Sequence, residues 1–204
     1  MYTALCIILG YVLGSIPFAL VIGKVFYKTD VRQHGSGNLG GSNTGRVLGS
    51  KAGAAVILLD ILKVVLAMWI ASHVSAAAAI WTGLACCVGH CFPLFAHFRG
   101  GKAVATAFGF LVGISAFVFR DPWFFFAPLV MFLIMLWLYK FVSVASIAAI
   151  LCSSLLITVL CWDMNAQSIM IITASWLMSI LVIWRHWTNI QRVREGTETA
   201  VTWL

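Results

Sequence analysis

Acidic side chains are scarce in this sequence: six Asp and Glu stand against thirteen Lys and Arg in 204 residues, a formal net charge of +7. So few carboxylates leave no cluster of aspartates for a divalent-metal site. Charged residues of both signs reach only 9%, where an average soluble domain carries about 25%. That scarcity, with 62% apolar residues and a mean hydropathy of +1.03, excludes a water-soluble domain and gives an integral membrane protein. Six cysteines (Cys6, Cys86, Cys87, Cys91, Cys152, Cys161) lie in apolar runs without the paired spacing of a zinc site. They read as small apolar filler, with no disulfide framework and no redox chemistry. A P-loop, G-x-x-x-x-G-K-[ST], is absent, and the first apolar run is too long for a cleavable signal peptide.

What is present is a repeating series of apolar runs. A helix crossing a hydrocarbon core of about 30 Å needs about 20 residues. Seven candidate spans follow, at residues 3–22, 52–71, 76–96, 103–119, 123–138, 141–161 and 168–184. The expected fold is all-α, a polytopic seven-transmembrane-helix bundle forming one domain over residues 1–204. One set of connections holds Lys24, Lys28, Arg32, Arg46, Lys51, Arg99, Lys102, Lys140, Arg185, Arg192 and Arg194; the other holds only Arg120. Basic loops stay on the cytoplasmic side, so the N-terminus is expected outside and the C-terminus inside. The same bias, with attraction to anionic headgroups, accounts for the positive charge without a nucleic-acid partner.

Every polar cluster capable of chemistry sorts to the cytoplasmic face. "GSGNLGGSNTGR", residues 35–46, offers glycines whose backbone amides can surround an anion, with Arg46 as a bidentate donor. Phosphate is the natural guest, although the same residues also make ordinary turns. "RGGKAVAT", residues 99–106, sets Arg99 and Lys102 around two glycines where a helix begins, a second anion site or a pair of simple interfacial anchors. "GHCFP" before it predicts a helix broken at Pro93. In the tail, His186, Asn189 and Arg192 follow helical spacing and share one face, in a functional site or a solvated cap. Asp60 and Lys63, one helical turn apart inside a span, are expected to pair, as structure or as a substrate contact. Gly10 with Gly14 and Gly109 with Gly113 are small-x-x-x-small patterns for close helix packing. Trp69, Trp123, Trp137, Trp184 and Trp187 fall where an interfacial aromatic belt would lie.

Five segments together resemble the bacterial acyl-phosphate:glycerol-3-phosphate acyltransferase family (PlsY): "GSIPFA" (14–19), "GSGNLGGSN" (35–43), "GHCFPLFAHFRGGKAVAT" (89–106), "FVSVASI" (141–147) and "RHWTNIQRVREGTE" (185–198). They occur in the family's order across essentially the whole chain. The chain departs from the usual pattern at Leu39 (proline), Gly41 and Ser42 (alanine and threonine), Arg99 (lysine) and Ala103 (glycine). The resemblance implies transfer of an acyl group from acyl phosphate to the 1-hydroxyl of glycerol 3-phosphate, yielding lysophosphatidic acid and phosphate at the bacterial inner membrane. It implies Ser36, Arg46, Lys102, His186 and Asn189 as catalytic residues. Gly35, Gly37, Asn38, Gly40, Asn43, Gly100, Gly101, Thr106, Ser143, Ser146 and Arg192 are the expected substrate contacts. An acyl phosphate is an activated mixed anhydride, so orientation and electrostatic stabilisation suffice; no metal or cofactor is expected, and the chain is expected to act as a monomer. Direct transfer is favoured over an acylated Ser36, because no base with a partner carboxylate is evident beside it. The runner-up is a transporter of phosphorylated metabolites, which would carry polar residues toward both faces and often an internal repeat; this sequence shows neither. No His-x4-Asp pair of thioester-dependent acyltransferases occurs.

Overall fold

Proline and glycine cut the first apolar run in two. A computed structural model describes residues 1–163 and 165–201, and in it α1 (Tyr2–Gly14) stops at a break before α2 (Phe18–Tyr27). Pro17 has no N–H to give the Leu13 carbonyl, so the ladder ends there, and Ser15 turns its hydroxyl back onto the Tyr11 carbonyl at 2.8 Å. The expected span at 3–22 is therefore a broken pair whose helices together cover residues 2–27.

The segment after it, expected to be a polar loop, holds structure. A single 3-10 turn at Val31–Gln33 is capped by the Asp30 carboxylate, and α3 (Gly41–Leu48) follows. Gly41 and Gly45, with Ser42, Asn43 and Thr44 between them, argue against a helix on propensity alone. Contact with α4 (Ser50–Ser72) overrides it, because only hydrogens fit between the two backbones: a Cβ on Gly41 would meet the Gly53 carbonyl oxygen at 2.8 Å, and one on Gly53 would meet Gly45 Cα at 2.8 Å.

α5 (Ala76–Cys91) ends before Pro93, and a 3-10 turn at Leu94–Ala96 leads to the glycine-lysine turn. α6 (Val104–Gly113) runs into a π-helical stretch, Ile114–Phe119; α7 (Trp123–Tyr139), α8 (Val142–Leu160) and α9 (Ala166–Arg185) follow, and α10 (Trp187–Arg194) closes the order. Among the described residues, five helical stretches are long and apolar enough to cross a membrane, with two shorter apolar ones at Val104–Phe119 and Trp123–Tyr139.

Small residues set which helices touch. Cβ atoms on Gly10 and Gly14 would strike the Thr82 and Cys86 carbonyl oxygens of α5, and one on Gly89 would strike the Tyr11 carbonyl oxygen of α1. Gly109 and Gly113 press in the same way onto Ile61 and Met68 of α4. In lipid, where apolar surface gains little by leaving the solvent, such close approach is a main source of helix association. A core of Met68, Phe110, Leu111, Ile114 and Ile150 fills the centre, while Leu58, Val130, Leu133 and Ile180 face outward as a lipid-bathed surface requires. Trp69, Trp123, Trp137, Trp184 and Trp187 are all exposed.

Candidate active site

Two turns and the junction of two helices meet over a cavity of about 620 Å³. The first turn is built by Asn43 of α3, whose buried amide folds residues 31–43 back on themselves. Its Oδ1 accepts from the Ser36 amide at 2.8 Å, and its Nδ2 donates to the carbonyls of Val31 at 3.0 Å and His34 at 3.3 Å. Gly35 takes φ +59° and Gly37 φ +68°, the left-handed region where a side chain costs energy. Gly35, Ser36, Asn38, Gly40, Ser42, Asn43 and Arg46 line one wall.

The second turn carries Lys102. The Gly101 amide donates to the His90 carbonyl at 3.0 Å and the Gly100 amide to that of Cys91 at 3.2 Å, folding the turn against the end of α5. Arg185 holds its other side, giving Nε to the Gly101 carbonyl and Nη2 to that of Gly100, each at 3.0 Å, while its guanidinium lies 5.4 Å from the Phe92 ring centre. Arg185 thus clamps the backbone that presents Lys102. Lys102 Nζ donates to Asn189 Oδ1. Burial first, and Arg192 second, press the Lys102 ammonium from its ordinary 10.5 to about 8.

The third group comes from the α9–α10 junction. His186 Nδ1 lies 2.7 Å from the Val182 carbonyl, a contact that places its proton on Nδ1 and leaves Nε2 as an acceptor. Burial lowers the imidazole to about 4, so it is neutral at pH 7. Asn189 and Arg192 project from α10, and both reach Glu198: Asn189 Nδ2 to Oε1 at 2.6 Å, Arg192 Nε to Oε2 at 2.8 Å, with Ser143 Oγ adding a third bond to Oε1 at 2.8 Å. Burial alone would raise the Glu198 carboxyl; these three donors outweigh it and hold the group below its ordinary value. Glu198 therefore serves as a charged hub for three of the expected site residues.

The expected residues are not all equivalent. Ser36, Arg46, Lys102, His186, Asn189, Gly35, Asn38, Gly40, Asn43, Ser143, Ser146 and Arg192 line the one cavity. Gly37, Gly100, Gly101 and Thr106 are not among the lining residues. Gly37 supports its turn from behind, the glycine pair is occupied with α5 and Arg185, and the Thr106 hydroxyl is buried inside the bundle. Asp60, left open between structure and substrate contact, also lines it, as do residues not among the expected site residues: His90, Glu198, and an apolar lobe of Ile57, Ile61, Phe108, Phe125, Leu129 and Phe132. The aromatic members sit edge to face, Phe108 5.7 Å from Phe132 and 6.2 Å from Phe125. The "GTE" beside Arg192 was the available signal for Glu198; nothing local marks the phenylalanines, which come from two helices of uniformly apolar sequence. Among the described residues, no three His, Cys, Asp or Glu side chains gather as a metal-ion site.

The cavity thus has one cationic, amide-lined end and one aromatic end. The family model described as "Glycerol-3-phosphate acyltransferase" matches residues 4–196. The chain belongs to that family. It is 44% identical to the glycerol-3-phosphate acyltransferase of Listeria welshimeri, over 97% of this chain and 96% of that one. It is also 44% identical to that of Geobacillus kaustophilus, over 98% and 97%. Its fold is similar to crystal structures of PlsY (YgiH), an integral membrane glycerol 3-phosphate acyltransferase. The glycerol 3-phosphate form superposes with TM-score 0.88 at 33% identity, covering 98% of this chain and 96% of the other; the lysophosphatidic acid form gives 0.85. With its long apolar helices, the chain is a multi-pass membrane protein.

Proposed function

We propose that this acyltransferase takes its acyl group from an acyl phosphate and passes it directly to the 1-hydroxyl of glycerol 3-phosphate, releasing lysophosphatidic acid and inorganic phosphate as a first step of phospholipid synthesis. Family membership and the relatives' glycerol 3-phosphate and lysophosphatidic acid forms support the acceptor and product. The observation that carries the rest is the two-ended cavity: an acyl chain suits the lobe of Phe108, Phe125, Leu129 and Phe132, and the phosphates suit Arg46, Lys102, Arg192 and the amides of residues 35–43.

In this reading the acceptor oxygen attacks the acyl carbonyl carbon, a C–O bond forms, and the bond from that carbon to the phosphate oxygen breaks. Lys102 and Arg46 neutralise the charge gathering on the departing phosphate. His186 Nε2 accepts a hydrogen bond from the attacking hydroxyl and orients it. An imidazole pressed to about 4 is a weak base, so the proton goes to a substrate phosphate, whose second pKa lies near 6. Ser36 has its amide tied to Asn43 and works as a donor in the turn, without an acyl-enzyme. The whole chain acts as one monomeric unit with seven spans in the bacterial inner membrane, N-terminus outside, the cavity opening to the cytoplasm.

The test offers purified protein palmitoyl phosphate or a palmitoyl thioester with labelled glycerol 3-phosphate. Lysophosphatidic acid from the phosphate alone is expected; product from the thioester alone overturns the donor assignment.

A further inference from the structure

One buried polar cluster takes no part in that scheme. α4 sets Asp60 and Lys63 one turn apart, with Nζ 2.7 Å from Asp60 Oδ1. His90, from the last turn of α5, brings Nδ1 to 3.2 Å from the same Nζ and 3.4 Å from the carboxylate. The three are 1%, 4% and 6% exposed. Burying ions costs free energy that their mutual attraction offsets only with good geometry, so a pair that merely fills a bundle gains little over apolar residues of the same size.

Its location gives the cluster a use. Lys63 Nζ spends a further bond, 3.0 Å long, on the Ile16 carbonyl, which lies in the break between α1 and α2. On the other side, His90 touches the Lys102 turn twice. Its backbone carbonyl accepts the Gly101 amide at 3.0 Å, and its ring fills the space where a Gly101 Cβ would stand, so that only glycine fits there. Lys102 is the next residue. A continuous chain of contacts thus runs from the break in the first helix pair, through Lys63, Asp60 and His90, to the backbone that aims Lys102 Nζ.

We propose that Asp60, Lys63 and His90 form a positioning unit that fixes the depth and direction of the residue 100–102 turn, and with it the Lys102 ammonium. The inference rests on the reading of Lys102 as a phosphate ligand. Asp60 and His90 also border the cavity, but the role assigned to the three is to hold the turn, which exchange at Gly100 and Gly101 reports separately from substrate contact. A misplacement of about 1 Å at such a group costs on the order of 100-fold in rate.

The test compares purified wild type, Asp60→Asn/Lys63→Met, His90→Ala, His90→Gln and Lys102→Ala in lipid vesicles, recording kcat and KM for both substrates, melting temperature, and hydrogen exchange of the Gly100 and Gly101 amides by mass spectrometry. The neutralised pair and His90→Ala are expected to lose about 100-fold, chiefly in kcat, with faster exchange at the two glycines. His90→Gln, which keeps a polar side chain of useful bulk against Gly101, is expected to recover at least about a tenth of wild-type kcat. Near-normal kcat with slow exchange in the neutralised pair overturns the inference. If that pair does not fold, equal losses in His90→Gln and His90→Ala overturn it. An active Lys102→Ala protein instead defeats the phosphate-ligand reading beneath it.

Discussion

Lys102 is held at the edge of ionisation, and that has a measurable consequence. With the group pressed to about 8, it is about nine-tenths protonated at pH 7 and about one-tenth at pH 9, whereas an ordinary lysine keeps its charge throughout. A phosphate ligand needs the ammonium, so the KM of the substrate it holds is expected to rise up to about tenfold between those pH values. Steady-state kinetics from pH 6.5 to 9.5 check this, and Lys102→Arg, always charged, flattens the rise. The neighbouring residue offers a second test. Ala103 is buried with φ +60°, a left-handed backbone that costs a residue with a Cβ about 1–2 kcal/mol, at the position where the family pattern has glycine. Ala103→Gly is therefore expected to stabilise the folded protein by up to about 1 kcal/mol, the backbone gain less the loss of one buried methyl group, read as a higher melting temperature in detergent with activity retained. The departure from glycine was legible in the sequence; the sign of φ was not, because it follows from how α5 and Arg185 anchor the preceding turn.

At the scale of elements, legibility followed the range of the interactions. Apolar runs and breaks are local, so α4, α8 and α9 begin and end close to their expected bounds, while α5 stops at Cys91, short of its expected end at residue 96, because of the break at Pro93. The small-residue spacing of Gly10 and Gly14 announced a tight interface, and α5 is its partner. α3 was missed because its sequence disfavours helix and its stability comes from glycine-to-glycine contact with α4, information spread over two elements. Glu198 and the aromatic lobe escaped for the same reason. The α1–α5 interface supplies the matching prediction. A Cβ on Gly14 meets the Cys86 backbone, which has no rotamer to yield, so Gly14→Ala is expected to cost about 1–3 kcal/mol. Thermal denaturation in detergent measures it. Ala54→Gly on exposed α4 surface is the comparison, and it should cost only about 1 kcal/mol, from backbone entropy.

For the whole molecule, the arrangement of charge is what the proposed orientation of the cavity rests on. Eleven basic residues fall on one set of connections and Arg120 alone on the other, and the cavity draws Arg46, Lys102 and Arg192 from the first set. Its tail is fastened to the same end: Glu198 binds Ser143, and the Val201 amide donates to the Lys140 carbonyl at 2.8 Å. If basic loops are retained in the cytoplasm, glycerol 3-phosphate reaches the cavity without crossing the bilayer, and the acyl donor enters from the inner leaflet. Reporter insertion after Pro122 and fusion after Leu204 test that orientation. Alkaline phosphatase, active only outside the cytoplasm, should work in the first position, and green fluorescent protein, which fluoresces inside, in the second. Phosphatase activity at the C-terminus with none after Pro122 would invert the molecule and place its cationic cradle where no cytoplasmic phosphate could reach it. Adding three lysines beside Arg120 should weaken the bias, giving a mixed population and a matching fall in acyltransferase activity per molecule inserted, since only inward-facing copies meet the acceptor.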